Sequence, residues 1–175
     1  MEKNLKNYIT DIPDFPEKGI LFRDITSLLQ SGEGFHAAID AILEKLDSVE
    51  FDTVVGLEAR GFLIGAPVAY AKQKGFVPVR KKGKLPRETV SAQYVLEYGT
   101  AEVEMHRDSL NEGDKVVIID DLIATGGTLE AAVKLVEQLG GEVVRVLCLI
   151  ELTDLNGKEK LKGYDVESIV SYSGK

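Results

Sequence analysis

Val116-Val117-Ile118-Ile119-Asp120-Asp121-Leu122-Ile123-Ala124-Thr125-Gly126-Gly127-Thr128 is the most informative stretch of the chain. Its apolar start has no polar alternation, as expected of a strand covered on both faces. The pair Asp120-Asp121 is expected to end that strand. Two carboxylates would then stand at the C-terminal edge of a parallel sheet, where α/β proteins place ligands. Gly126 and Gly127, flanked by Thr125 and Thr128, open a helix. Glycines allow close backbone approach, and first-turn N–H groups with the helix dipole form an anion site. A polyol beside a phosphate fits this order: carboxylates accept from hydroxyls while amides hold the phosphate. No Gly-Lys-Ser/Thr follows, so it is not a Walker loop, and the G-x-G-x-x-G dinucleotide fingerprint is absent. The blander alternative makes Asp121 a turn residue and the glycines punctuation.

Working outward, Leu129, Ala132, Val133, Val136 and Leu139 mark a helix after the glycines, closed by Gly140-Gly141. A long strand follows over 142–152. Upstream, Phe35, Ala38, Ile39, Ile42, Leu43 and Leu46 form a helical stripe, and 51–55 reads as a buried strand stopped by Gly56. Residues 61–74 suit a packed helix, with Pro67 kinking it or sitting in its first turn. A strand over 76–79 completes a βαβ unit. Tyr94, Leu96 and Tyr98, then Ala101, Val103 and Met105, alternate about a turn at Tyr98-Gly99-Thr100 and predict a half-solvated hairpin. The tail predicts a short helix over 158–162 and a last strand over 166–170. No linker or repeat divides the 175 residues, so 1–175 reads as one domain.

Charge narrows the partners. Lys and Arg number 21 against 29 Asp and Glu, a formal net charge of −8, which argues against nucleic acid or an anionic membrane. Arg80, Lys81, Lys82, Lys84 and Arg87 nevertheless crowd into one knot that either faces solvent or meets a small anion. Cys148, the only cysteine, lies in an apolar strand and reads as a small hydrophobe. His36 and His106 have no partner motif and read as surface or helix residues. No apolar run is long enough to span a bilayer and no signal-peptide pattern opens the chain, so a soluble cytoplasmic protein is expected.

The 116–128 segment resembles the signature of the type I phosphoribosyltransferases, and four further blocks strengthen the likeness. Pro13-Asp14-Phe15-Pro16-Glu17-Lys18-Gly19-Ile20-Leu21-Phe22-Arg23-Asp24-Ile25-Thr26 is similar to the hood of the adenine-specific branch of that family. Its prolines and glycine forbid a long helix and predict a defined turn at Phe22-Arg23-Asp24; a core Phe22 beside two solvated charges is the alternative. Gly56-Leu57-Glu58-Ala59-Arg60-Gly61-Phe62 is similar to the family's pyrophosphate loop, and the basic knot to a stretch that also meets pyrophosphate. Ala92 to Gly99 is similar to its mobile catalytic loop.

The resemblance implies a central, mostly parallel sheet with helices on both faces, an N-terminal hood at about 8–33 and a flexible hairpin loop at about 88–108. It implies that Asp120 and Asp121 contact the ribose hydroxyls of phosphoribosyl pyrophosphate and that Ala124, Thr125, Gly126, Gly127 and Thr128 hold its 5-phosphate. Glu58, Ala59, Arg60, Arg80 and Lys84 fall on the pyrophosphate, with a non-proline cis peptide at Glu58-Ala59; Lys81 and Lys82 are expected to be solvated. Leu21, Phe22 and Arg23 fall on adenine. Glu97, with Arg60, is implied in catalysis, and Tyr98 is its neighbour on the loop. Mg²⁺ is implied on substrate oxygens, and a homodimer as the assembly. Two rivals stand beside this reading: transfer to another base, and a non-catalytic regulator that senses phosphoribosyl pyrophosphate.

Overall fold

The computed structural model describes residues 4–96 and 98–174. After a 3-10 turn (Leu5–Tyr8), the described chain runs through β1 (Thr10–Pro13), β2 (Leu21–Asp24), α1 (Thr26–Gln30), α2 (Gly32–Lys45), β3 (Thr53–Leu57), α3 (Arg60–Ala71) and β4 (Gly75–Lys81). It continues through β5 (Thr89–Leu96), β6 (Gly99–His106), β7 (Lys115–Ile123), α4 (Gly127–Gln138) and β8 (Glu142–Leu152). Two 3-10 turns, Thr153–Leu155 and Gly157–Leu161, lead to β9 (Val166–Tyr172).

Among the described residues seven strands form one sheet in the order β5-β6-β4-β3-β7-β8-β9, with β1 and β2 as a separate antiparallel pair. The ladders from β4 through β3, β7 and β8 to β9 are parallel, whereas β6 pairs antiparallel with both β4 and β5. The α/β expectation, a mostly parallel sheet with helices on both faces, holds. Alternating side chains divide the interior into two apolar layers. Val116, Ile118, Val146 and Cys148 pack on one face with Leu129, Ala132 and Val136 of α4. Val117, Ile119, Leu147 and Leu149 pack on the other with Ala38 and Ile42 of α2 and Ile64 and Val68 of α3. Cys148 is a buried core residue, as its setting predicted. Among the described residues no helix is long and apolar enough to cross a membrane.

Three expectations about element ends are corrected. The strand over 51–55 lies at Thr53–Leu57 and runs through Gly56, which pairs with Pro78 on one side and Ile119 on the other. Gly56 does not stop the strand; it makes room. A Cβ there would lie 2.6 Å from the Phe76 ring. Likewise β7 does not end at Asp120-Asp121, because its ladder to β8 resumes at Leu122↔Ile150 and Ile123↔Glu151. Phe22-Arg23-Asp24 is not a turn but part of β2, held by Ile12↔Phe22 and Asp11↔Arg23. The reversal falls earlier, where Asp14 and Gly19 take positive φ and the Gly19 amide donates to the Asp14 carboxylate at 2.7 Å. Pro67 lies in the interior of α3, beyond its first turn.

Gly56 generates a test of this packing. Gly→Ala within a strand ordinarily gains from a stiffer unfolded chain. Here the added methyl would collide with an aromatic ring that itself packs edge-on against Phe62, with centroids 5.7 Å apart. Gly56→Ala is expected to lower stability by about 1–3 kcal/mol, the usual cost of overpacking, measured by urea denaturation; equal or greater stability would show that Phe76 yields freely.

Candidate active site

A pocket of about 470 Å³ opens at the C-terminal edge of β3 and β7. It is lined by Glu58, Ala59 and Arg60 from the β3–α3 loop, by Asp120 and Asp121, and by the whole run Ala124 to Thr128. Lys81 and Tyr94 close its side. A larger concavity, about 1040 Å³, lies between α2 and β9 around His36, Asp40 and Ile169, and holds none of these groups. Chemistry favours the smaller one.

How adjacent acids on an extended strand reach one pocket follows from the two apolar layers. Val117 and Ile119 face one layer, and strict alternation would send Ile123 there too. Instead Leu122 packs against that layer and Ile123 against the opposite one. The alternation has slipped by one residue at Asp120-Asp121. The strand stays in its ladder while its faces exchange, so both carboxylates, though largely buried, line the same pocket. The Asp121 amide donates to Oδ1 of Asp120 at 2.8 Å. Burial, followed by repulsion from Asp121, pushes the Asp120 carboxyl well above the usual carboxylate range.

The phosphate-type loop is built on Gly126, whose φ of 82° suits glycine. It caps α4, so the free N–H groups of the first turn face the pocket end of the helix. Opposite it, Arg60 stands at the first residue of α3 and its Nε is paired with Oδ2 of Asp121. The Glu58–Ala59 peptide is cis, as the resemblance implied.

Glu58 gathers the basic strand. Its carboxylate accepts from Arg80 Nε and Nη2 at 3.2 and 3.1 Å, from the Lys81 amide at 3.0 Å and from Lys84 Nζ at 3.1 Å. Burial pushes this carboxyl up, but the bonds from Arg80, Lys81 and Lys84 outweigh it and hold the group at about 2. Lys82 instead pairs with Glu102 at 2.9 Å. Lys81, expected in solvent, lines the pocket.

The hood approaches this site through Phe22. Its ring packs edge-on against Phe15 at 5.2 Å, and the guanidinium carbon of Arg60 lies 5.6 Å from its centroid. Arg23 is not solvated: its side chain is 9 % exposed, paired with Asp11, and 4.1 Å above the Tyr172 ring. Asp24 bonds locally to Thr26. Phe22 therefore borders the phosphate pocket through Arg60, and none of Leu21, Phe22 and Arg23 lines it. Tyr98, 92 % exposed, is not brought into the pocket, and Glu97 lies outside the described residues. His106 is buried in β6 and its Nε2 accepts from the Arg87 amide at 3.4 Å, so it is not a surface residue. Tyr94 and Lys81 were missed as lining residues; Tyr94 carried only the alternation of a strand, and Lys81 was one of five cations in a run.

A model of the phosphoribosyl transferase domain matches residues 24–173. The chain belongs to the phosphoribosyl transferase family. It is 60% identical over 173 residues to an adenine phosphoribosyltransferase from Lachnoclostridium phytofermentans, covering 99% of each chain. Among solved structures, the adenine phosphoribosyltransferase of Thermoanaerobacter pseudethanolicus superposes with a TM-score of 0.95 at 51% identity, covering 98% of this chain and 100% of that one. The Saccharomyces cerevisiae enzyme, complexed with D-2,5-dideoxy-2,5-imino-altritol 1,6-bisphosphate and adenine, gives 0.91 at 41% identity over 95% and 96% of the two chains. In this phosphoribosyl transferase the acid pair, the glycine loop and the cis-peptide loop meet at one sheet edge.

The Glu58 cluster carries a pH signature. A carboxyl held at about 2 against an ordinary 4.5 contributes stability that is fully present above pH 4.5 and is lost as pH falls toward 2. Glu58→Gln is thus expected to be less stable than the parent at neutral pH, with the gap closing below pH 4.5. Guanidinium denaturation at a series of pH values measures it; a gap independent of pH would assign the loss to packing rather than charge.

Proposed function

We propose that this chain is an adenine phosphoribosyltransferase of purine salvage, making AMP and pyrophosphate from adenine and phosphoribosyl pyrophosphate in the cytoplasm. The observation that carries the reading is the convergence of Asp120-Asp121, the 124–128 loop and Arg60 on one pocket with Phe22 at its border. The 60% identity to a full-length adenine phosphoribosyltransferase supports the choice of base.

The roles follow from the donors and acceptors. Asp120 and Asp121 accept from the ribose 2′ and 3′ hydroxyls. The amides of 124–128 and the hydroxyls of Thr125 and Thr128 hold the 5-phosphate. Arg60, Arg80 and Lys84 receive the pyrophosphate, with Glu58 and Ala59 shaping the loop around it. Arginine suits that place because its planar fork gives several charge-assisted bonds to phosphate oxygens. In the free protein these cations are bound to Asp121 and Glu58, so the substrate's phosphates exchange one set of anions for another. Adenine lies against Phe22, with Leu21 and Arg23 presenting backbone groups to its edge.

In the reaction, the bond from the anomeric carbon to the pyrophosphate oxygen breaks and its electron pair leaves with the pyrophosphate. The purine nitrogen then bonds to the cation-like carbon and sheds its proton. Charge on the leaving group is stabilised by Arg60, Arg80 and Lys84, and the base is held in line. Mg²⁺ on the substrate's oxygens would supply further charge neutralisation when bound, as an ion that retains phosphate and water ligands. Glu97 is the candidate acid or base, on the resemblance alone, with Tyr98 beside it on the loop. A homodimer is supported by α3, where Leu63 and Tyr70 are 47% and 87% exposed on one face with Pro67 between them.

Steady-state kinetics with each base offered separately tests the reading. Adenine is expected to exceed hypoxanthine in kcat/KM by about a hundredfold, because groups matched to an amino-purine go unpaired against an oxo-purine. Comparable use of hypoxanthine or guanine would reassign the base and keep the transferase. Glu97→Gln is expected to lower kcat by about 10²–10⁴ with little change in KM for phosphoribosyl pyrophosphate. Single-turnover rates separate chemistry from product release; a near-normal rate would leave Glu97 no part in proton transfer.

A further inference from the structure

The segment Asn156-Gly157-Lys158-Glu159-Lys160-Leu161 lies far along the chain from every residue given a role above, yet it is built onto the phosphate loop. A Cβ on Gly126 would lie 2.3 Å from the Gly157 carbonyl oxygen, and one on Gly157 would lie 2.3 Å from the carbonyl oxygen of Ala124. The two backbones therefore interlock where any side chain would separate them. At its other end the 3-10 turn is anchored by Leu161, which is 1% exposed and packs in the same apolar layer as Ile123 and Leu129. Between these anchors stands Lys160. Its Nζ lies 3.7 Å from the point a Cβ on Gly127 would occupy, and the Tyr94 ring lies 3.8 Å from the same point.

The charge of Lys160 has no counter-ion among the described residues. Its neighbour Lys158 is paired with Glu151 at 2.6 Å, and Lys134 of α4 with Glu130 at 3.7 Å, but no carboxylate meets Lys160. Gly127 is the first residue of α4, whose N-terminal dipole end is positive. A cation is disfavoured there and an anion favoured. An ammonium beside that end raises the potential at a site already made for an anion, and the arrangement becomes favourable once a phosphate lies between them.

We propose that Lys160 is a binding residue of the 5-phosphate site, supplying the one side-chain cation to a cradle otherwise made of amides and hydroxyls. The proposal rests on the reading of the 124–128 loop as the phosphate holder. The 5-phosphate takes no part in bond breaking, so the contact is equally strong in ground and transition states. Its loss raises KM for phosphoribosyl pyrophosphate and leaves kcat in place.

The test uses Lys160→Met and Lys160→Arg with isothermal titration of AMP, adenosine and ribose 5-phosphate. In Lys160→Met the Kd for AMP and for ribose 5-phosphate is expected to rise about tenfold, the low end for a bond to a charged group at an exposed site. Adenosine affinity and inhibition by inorganic pyrophosphate should not change, and Lys160→Arg should restore AMP binding. Lys158→Met, which removes the neighbouring cation, should leave AMP binding as in the parent. Unchanged AMP affinity in Lys160→Met, or equal weakening of AMP and adenosine, would overturn the assignment. Ribose 5-phosphate carries no base, so a wrong choice of adenine would leave that arm intact. Failure of the parent to bind ribose 5-phosphate or AMP would instead refute the phosphate loop, and this proposal with it.

Discussion

A strand buried on both faces cannot bring two adjacent carboxylates to one pocket unless its side-chain alternation slips where the acids stand. That constraint governs β7. Val116 to Ile119 fill the two apolar layers alternately, and the exchange of faces at Asp120-Asp121 lets both acids line one pocket. Each unpaired carboxylate forced between those layers would cost several kcal/mol. The slip avoids that cost while keeping β7 in its ladder to β8 as far as Ile123. Everything else at the site is arranged around where this strand puts its acids: Arg60 across the pocket, the glycine loop directly after them, and the basic strand on the far side of β3.

The electrostatics of the free site are largely self-contained. Arg60 is held by Asp121, while Arg80 and Lys84 share Glu58. A pocket for a highly charged ligand must hold cations close together, and internal carboxylates prevent them from splaying apart. The arrangement is asymmetric, because one glutamate serves two cations and leaves a net positive charge at that wall. The glycine loop has a different economy, with dipoles in place of charges.

The parts of this architecture that were legible in the sequence were those with a strong local period or a fixed order of residue types. The apolar run before the acids, the glycines after them and the helical stripe of α2 announced themselves in this way. Element ends were less legible because they depend on neighbours. Gly56 read as a stop, yet it is small because Phe76, twenty residues on, occupies the space. Phe22-Arg23-Asp24 read as a turn after Pro13, Pro16 and Gly19, whereas pairing with β1 extends it and places the reversal at Asp14 to Gly19. Lys81 and Tyr94 were hidden for a different reason: nothing in a run of lysines or an alternating strand says which member faces a pocket. Glu97 drew its role from family likeness, and the described residues do not include it.

The placement of Cys148 has a practical consequence. Its thiol is wholly buried, and in the β7–β8 register it stands opposite Asp120. Burial first, then the negative charge of Asp120 and Asp121, raises the thiol well above its ordinary range, so little reactive thiolate forms in the closed sheet. No other cysteine competes for reagent. The chain thus carries a single silent label site at its centre: alkylation in the native protein clocks how often the β7–β8 seam parts, and a phosphate ester that fastens the acid pair should slow that clock.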